Sequence, residues 1–492
     1  MTRFPLLAKV GAIALVGAMV MACLGRIEGL VGERRLRGIE AVQEVERSHA
    51  AAQALVGPLL QRTCTEEWVN VSGTEKDHDR VATPAKRTFT LRQAPAALAV
   101  DGSVKADALH RGLYKINAYV AQVDVAADFA NFAPLHAHAE HPDGRLQCDA
   151  PRLLLALSDV RGIRAASVRV DGQALAVQPG TASDAYPHGF SAVMPASRIE
   201  GDAAAAPLHV KLALELIGTR QLAWVPAADA VRWSLASDWP HPSFGGKFLP
   251  DSRTLRADGF GATWNLSALA TTASADAIRG GALCGDAAAD GDAVGPGYGG
   301  ELVAASAPAQ ADARACLDTM AVSFIDPVNS YVLSDRAVKY ALLFVLVTFV
   351  AVGLIEVLSG RRVHPVQYLL VGLGLSLFFL LLLSLSEHLP FEQAYGAASL
   401  ACASLLGFYA SAMFGARLAG LAFGLAIGLL YGLLYTLLRM EQNSLAIGSV
   451  MLFAGLALVM WLTRRIDWYA LFARLRANAE PPLRTVQAEG EK

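Results

Sequence analysis

The chain has 492 residues, a formal net charge of −2, and 17% charged against 54% hydrophobic residues, with a mean hydropathy of +0.37. An ordinary soluble enzyme would carry about a quarter of its residues as charges, so that class is disfavoured. The near-neutral balance gives no global attraction to nucleic acid.

The apolar excess sits at the two ends of the chain. Leu6–Leu24 is an apolar run interrupted only by Lys9. At a rise of about 1.5 Å per residue it is long enough to cross a hydrocarbon core. A cleaved signal peptide is the competing reading, with Arg3 and Lys9 ahead of small residues at Val20 and Ala22. The retained anchor is preferred, because the charge-rich helical pattern of Arg26–Ala54 continues it without a break.

Between Lys86 and Leu269 the pattern turns to short alternating runs. RTFTLRQ, LYKINAYVAQVDVAADF, PLHVKLALELIG and VRWSLASDW read as strands, separated by turn signals such as Asp171–Gly172 and Asp258–Gly259. Many short strands with few helices predict an all-β, β-sandwich-like domain. Residues 274–315 are rich in Gly, Ala and Asp and too small to bury a core, so they read as a flexible loop. The chain returns through a strand near Ala321–Ile325.

Five apolar stretches follow: Tyr340–Leu358, Val366–Leu385, Phe391–Met413, Leu418–Leu438 and Leu445–Leu462. Each is long enough for a transmembrane helix, and only helices satisfy their own backbone in lipid. With the first run they predict six spans. Arg361, Arg362, Arg417, Arg464, Arg465 and the tail arginines fall on one side, which the positive-inside rule assigns to the cytoplasm. The strand-rich region is then extracytoplasmic. The expected divisions are an anchor (1–25), a helical or extended linker and domain entry (26–85), a periplasmic β-rich domain (86–273) and the loop (274–315). A return segment (316–339), a five-helix bundle (340–463) and a cytoplasmic tail (464–492) complete them. Cys64, Cys148, Cys284 and Cys316 all fall in the external region, as an oxidising compartment allows. Four cysteines permit three pairings; Cys284–Cys316 is the local candidate.

SDWPHPSFGGKFLP (237–250), LSDRAVKYALLF, HPVQYLLVGL, LSLSEH and TRRIDWYA together resemble the CreD family of bacterial inner-membrane proteins, as do ALVGPLL (54–60) and SDVRGI (158–163). The resemblance covers nearly the whole chain. It implies one N-terminal span, a large periplasmic domain, a C-terminal helix cluster and a link to cell-envelope integrity. It assigns no catalytic residues.

The 237–250 stretch is proline-stiffened and reads first as a structural corner. Its sharper reading is a ligand or partner surface made of Trp239, His241, Phe244 and Lys247. Trp68, Trp233, Trp239 and Trp264 raise a sugar-stacking face as a minor alternative to core packing. HAHAEH offers His136, His138 and His141 with Asp143 beyond, spaced as metal ligands can be; a solvated loop is the plainer reading. No HExxH, GxSxG or P-loop occurs, so neither an enzyme, a metal nor a cofactor is expected. His364, Tyr368, Trp468 and Tyr469 are placed at the membrane interface. Gly420, Gly424, Gly428 and Gly432 recur every four residues and predict close helix packing. The expected partners are the lipid bilayer and an envelope protein or amphipathic ligand, not nucleic acid. A transporter of an uncharged solute is the remaining alternative.

Overall fold

The computed structural model describes residues 5–72, 81–195, 206–285, 316–325, 330–359, 363–439 and 444–464. The predicted interface residues Trp468 and Tyr469, most of the 274–315 loop, and Arg361, Arg362 and Arg465 lie outside them. Two compact units emerge, one of residues 1–37 with 328–492 and one of residues 38–327.

The chain opens with helix α1 (Pro5–Ser48) and passes into strands β1 (Gln53–Ser72), β2 (Val81–Gln93), β3 (Ala97–Arg111) and β4 (Tyr114–Phe129). Strands β5 (Arg145–Cys148), β6 (Arg152–Leu157), β7 (Ile163–Val170), β8 (Gln173–Leu175), β9 (Val177–Pro179) and β10 (Gly189–Val193) follow. Next come β11 (Leu208–Thr219), β12 (Gln221–Trp224), β13 (Ala230–Ser237), β14 (Pro242–Gly246), β15 (Ser252–Arg256) and β16 (Gly259–Ser267). Helix α2 (Ala273–Arg279) and strand β17 (Met320–Phe324) close the β-rich unit. Helices α3 (Ser330–Lys339), α4 (Ala341–Ser359), α5 (Pro365–Ser386), α6 (Phe391–Phe414), α7 (Arg417–Arg439) and α8 (Ser444–Thr463) complete the chain.

The strands build two sheets. One has nine strands, running β14-β17-β12-β1-β6-β10-β9, with β2 and β5 also paired to β1; the other has eight, running β15-β16-β13-β3-β4-β11-β7-β8. Alternation explains the second sheet. In β11, Leu208, Val210, Leu212 and Leu214 point inward while His209, Lys211 and Ala213 face solvent, the period of two that a half-buried strand demands. One apolar cluster draws on both sheets, from Leu55, Leu153 and Trp224 to Val125, Leu212, Trp233 and Trp264.

The strand-rich body starts earlier than the sequence predicts. Residues 53–72 are not linker but β1, an inner strand of the nine-stranded sheet. Its ALVGPLL segment is buried without alternation, as befits a strand covered on both faces. Gly57 stands at φ +111°, and a Cβ there would come within 3.0 Å of the Leu154 carbonyl oxygen, so the register shift between Val56 and Leu59 requires glycine. Residues 274–279 of the expected loop lie in the helix α2. Cys284 joins Cys316, and Cys64 joins Cys148 across the β1–β5 pair, where the sequence left the pairing open.

Among the described residues four helices are long and apolar enough to cross a membrane, or five spans result when the bent pair α3–α4 counts as one; α8 adds a shorter apolar stretch. Helix α1 belongs to this core through Val16, Val20, Leu24, Ile27 and Val31, spaced three or four residues apart on one face. Gly372 of α5 receives Val20, since a Cβ there would meet its Cγ2 at 2.5 Å. Helices α6 and α7 approach backbone to backbone: a Cβ on Gly407 would lie 3.1 Å from the Gly424 Cα. Gly428 and Gly432, by contrast, have nothing within 4 Å. The glycine pattern is therefore used for packing at its first half only. Replacing Gly372 with Leu should cost about 1–3 kcal/mol through overpacking, read as a lower Tm of the detergent-solubilised protein, whereas Gly428→Leu should leave Tm nearly unchanged.

Candidate functional site

The strand register places the chain's way into the β-rich unit beside its way out. Gln53 of β1 lies opposite Leu222 of β12, in parallel pairing, and Gln221 lies opposite Ser323 of β17, antiparallel. Both connections therefore leave one end of one sheet, a single strand apart, or roughly 10 Å at the usual strand spacing.

The SDVRGI segment grips the inward connection. Asp159 Oδ2 accepts the Ala51 N–H at 3.0 Å. Ser158 Oγ accepts the Ala54 N–H at 3.0 Å and donates to the Ala52 carbonyl at 2.9 Å. Gln53, fully buried, donates to the Asp159 carbonyl at 3.1 Å. Arg161 donates to the Arg47 carbonyl in the last turn of α1, supplying a donor where a helix C-terminus lacks one. Its guanidinium also holds Asp159, with Nε 2.9 Å from Oδ1 and Nη2 2.6 Å from Oδ2. Thr219 Oγ1 donates to the Ala50 carbonyl at 3.1 Å, and Arg220 pairs with Glu46 at 3.0 Å. Burial alone would raise the Asp159 carboxyl. The hydrogen bonds from the Arg161 side chain and from the Ala51 and Arg161 amides outweigh it and hold Asp159 below the usual carboxylate range.

The 237–250 corner grips the outward connection. Trp239 is 8% exposed. Its Nε1–H reaches both the His241 carbonyl at 3.0 Å and the Ile325 carbonyl at 3.1 Å, just past the end of β17. Asn117 Nδ2 donates to the Phe324 carbonyl at 2.9 Å, and the Phe324 N–H donates to Arg220 at 2.7 Å. The Phe324 ring meets Tyr119 (5.0 Å between centroids) and the Trp239 edge (6.4 Å). Tyr119 donates to the Gln221 carbonyl at 2.7 Å, and burial raises its hydroxyl well above the usual range. Gly246 stands at φ +74°, with room for no Cβ against the Thr319 carbonyl (2.2 Å).

Of the four residues predicted for a surface here, two face inward. Trp239 holds the exit, and Phe244 packs edge-on against Phe260 (5.7 Å) and Trp264 (5.9 Å). His241 is exposed, and Lys247 pairs with Asp318 at 3.1 Å. Trp233 and Trp264 stack on each other at 4.4 Å inside the core, so the tryptophans form no common sugar-stacking face.

The helical unit contains a second polar cluster that the sequence reading missed. Lys9 pairs with Glu356, whose other oxygen accepts the Tyr368 hydroxyl at 3.0 Å. The pair is separated by 347 residues, and the single Lys within the first apolar run was its only sequence signal. Tyr368 is buried, and its hydroxyl ties α5 to α4. His364 caps α5: its Nδ1 accepts the Val366 N–H at 3.3 Å while Gln367 Oε1 accepts its own N–H at 2.9 Å. Arg34 pairs with Glu387 at 3.5 Å. Among the described residues no group of three or more His, Cys, Asp or Glu is placed to hold a metal ion.

Comparison with known proteins agrees with the resemblance read from the blocks. The profile of the family described as inner membrane protein CreD matches residues 5–469. Inner membrane protein CreD of Escherichia coli strain K12 is 31% identical over 484 residues, covering 98% of each chain. Among solved structures, an M1 zinc metallopeptidase from Deinococcus radiodurans aligns at a TM-score of 0.18 and 10% identity, over 35% of this chain and 38% of that one. That likeness is too slight to carry any argument.

Two outcomes follow from the paired grips. Trp239→Phe keeps the ring but strands two carbonyls, and should cost about 1–2 kcal/mol in unfolding free energy, with His241→Ala near zero. The stabilisation from Asp159 is present above the ordinary carboxylate range and is lost as pH falls through its depressed folded value. Asp159→Asn should therefore flatten the acid limb of a stability-versus-pH curve.

Proposed function

The chain belongs to the CreD family of inner membrane proteins, and we propose that it is a non-catalytic, multi-pass component of the bacterial inner membrane that supports envelope integrity through a periplasmic domain. Among the described residues α1, the bent α3–α4 pair, α5, α6 and α7 have the length and apolarity for five crossings, and the shorter apolar stretch of α8 would be the sixth. The arginine bias favours cytoplasmic ends for the chain. Two disulfides in the β-rich unit agree with an oxidising compartment, and two sheets over one core agree with a sandwich-like domain.

The observation that carries the reading is the pair of grips at one end of the nine-stranded sheet. Asp159 and Arg161 fix the segment leaving α1, and Trp239 fixes the segment leading to α3. Such a mount suits a domain that passes load or occupancy to its membrane helices. A ligand or partner surface at the 237–250 corner is the second reading, with an envelope protein or amphipathic molecule as the occupant. The exposed His241 and the Lys247–Asp318 pair would then form its rim, and Trp239 would link occupancy to residue 325. A solute path through the helices has less support, since Gly407 and Gly424 close the α6–α7 seam.

Alkaline phosphatase fused after residue 200 should be active and the same reporter after residue 492 inactive; the reverse pattern overturns the placement. A deletion strain should become sensitive to envelope stress. Wild type and His241→Ala should restore tolerance while Asp159→Ala and Trp239→Ala do not, and restoration by all four would overturn the mount.

A further inference from the structure

The HAHAEH segment, which the proposed function leaves unused, is anchored rather than loose. Glu66 of β1 has a fully buried side chain, yet His141 touches it. Its Oε1 accepts the His141 backbone N–H at 2.9 Å and lies 3.2 Å from His141 Nδ1, while Arg87 of β2 meets Oε2 at 3.3 Å. The His141 ring lies flat on Trp68, with centroids 3.9 Å apart and planes 8° apart. Gly144 closes the loop over the carboxylate so tightly that a Cβ would meet Oε1 at 2.5 Å.

We propose that His141 and Glu66 form a pH-sensitive latch that fastens the 136–144 loop to the β1–β2 arm beside the Cys64–Cys148 bridge. Both surfaces that face the imidazole attract positive charge. Glu66 presents a carboxylate, and Trp68 presents the electron-rich face of an indole. The other charges around it are already engaged or lie away from the ring. Arg87 also pairs with Glu140 of the same loop, and Lys86 with Glu67 at 3.4 Å. Arg145 of β5 lies opposite Glu67 in the strand register, and His136, His138 and Asp143 are the remaining titratable side chains of the loop. The His141 amide, against the opposing effect of burial, holds the Glu66 carboxyl below the ordinary value. The latch is strongest where His141 is charged and Glu66 is ionised. It weakens when either partner loses its charge. Release would uncover the Trp68 face and the Glu66 carboxylate together.

Hydrogen exchange of the residue 136–145 amides in the full-length protein, held in nanodiscs and corrected for intrinsic rates, reads the latch directly. On moving from about pH 5.5 to about pH 8, across the usual imidazole range, protection should fall about threefold or more in the wild type. His138→Gln should behave as wild type. His141→Gln and, separately, Glu66→Gln should each show no pH step, so that failure of one variant to fold leaves the other as the test. A flat wild-type profile, or a step that survives in either of the two latch variants, overturns the proposal.

Discussion

The β-rich unit depends on one three-strand pairing, β1 beside β12 beside β17. Within it lie the way in, the way out and the aromatic residues between them. Strands at this place have no water on which to spend their amides, so each backbone group leaving the ladder must find another partner. That requirement explains the polar residues gathered there. Asp159, Ser158, Gln53, Thr219, Asn117 and the Trp239 indole each serve a main-chain group where a strand begins or ends. The blocks SDVRGI and SDWPHPSFGGKFLP are spent on this task.

A second regularity concerns charge. Three carboxylates withdrawn from water each meet at least one donor from distant sequence. Asp159 has Arg161 and the Ala51 amide, Glu66 has Arg87 and His141, and Glu356 has Lys9 and Tyr368. Removing one partner from such a set leaves a costly unpaired group, so these sets specify which segments meet more than they add net stability. The helical unit applies the same logic sparingly. There, glycines at 372, 407, 420 and 424 let apolar surfaces interlock where no hydrophobic gradient between helix and lipid can drive them together.

Much of this was legible in the sequence. Long apolar runs announced the helices, and alternation announced β4, β7, β11 and β13. The local Cys284–Cys316 candidate is one of the two bridges formed. What stayed hidden was non-local. β1 lacks alternation because both of its faces are covered, and its Gly57–Pro58 step reads as a break, so residues 53–72 passed for linker. Cys64 finds Cys148 and Lys9 finds Glu356 only through the fold. Trp239 and Phe244 looked like a surface because proline-rich text around aromatics fits a binding loop and a packed corner equally well. His141 carried a signal in its company of histidines, but its partner, Glu66, lies 75 residues away.

The position of β17 has a consequence for synthesis. It is the last strand made, yet it slots between β14 and β12 rather than adding to a margin. Until residue 324 has emerged, β12 and β14 each keep a bare ladder, and the Trp239 indole has no Ile325 carbonyl to meet. The domain can therefore finish only when the ribosome is already producing the apolar helices from Ser330 onward. Completion of the sheet and synthesis of the apolar helices must overlap in time, and a chain stalled before β17 would offer two open strand margins to whatever protein lies nearest.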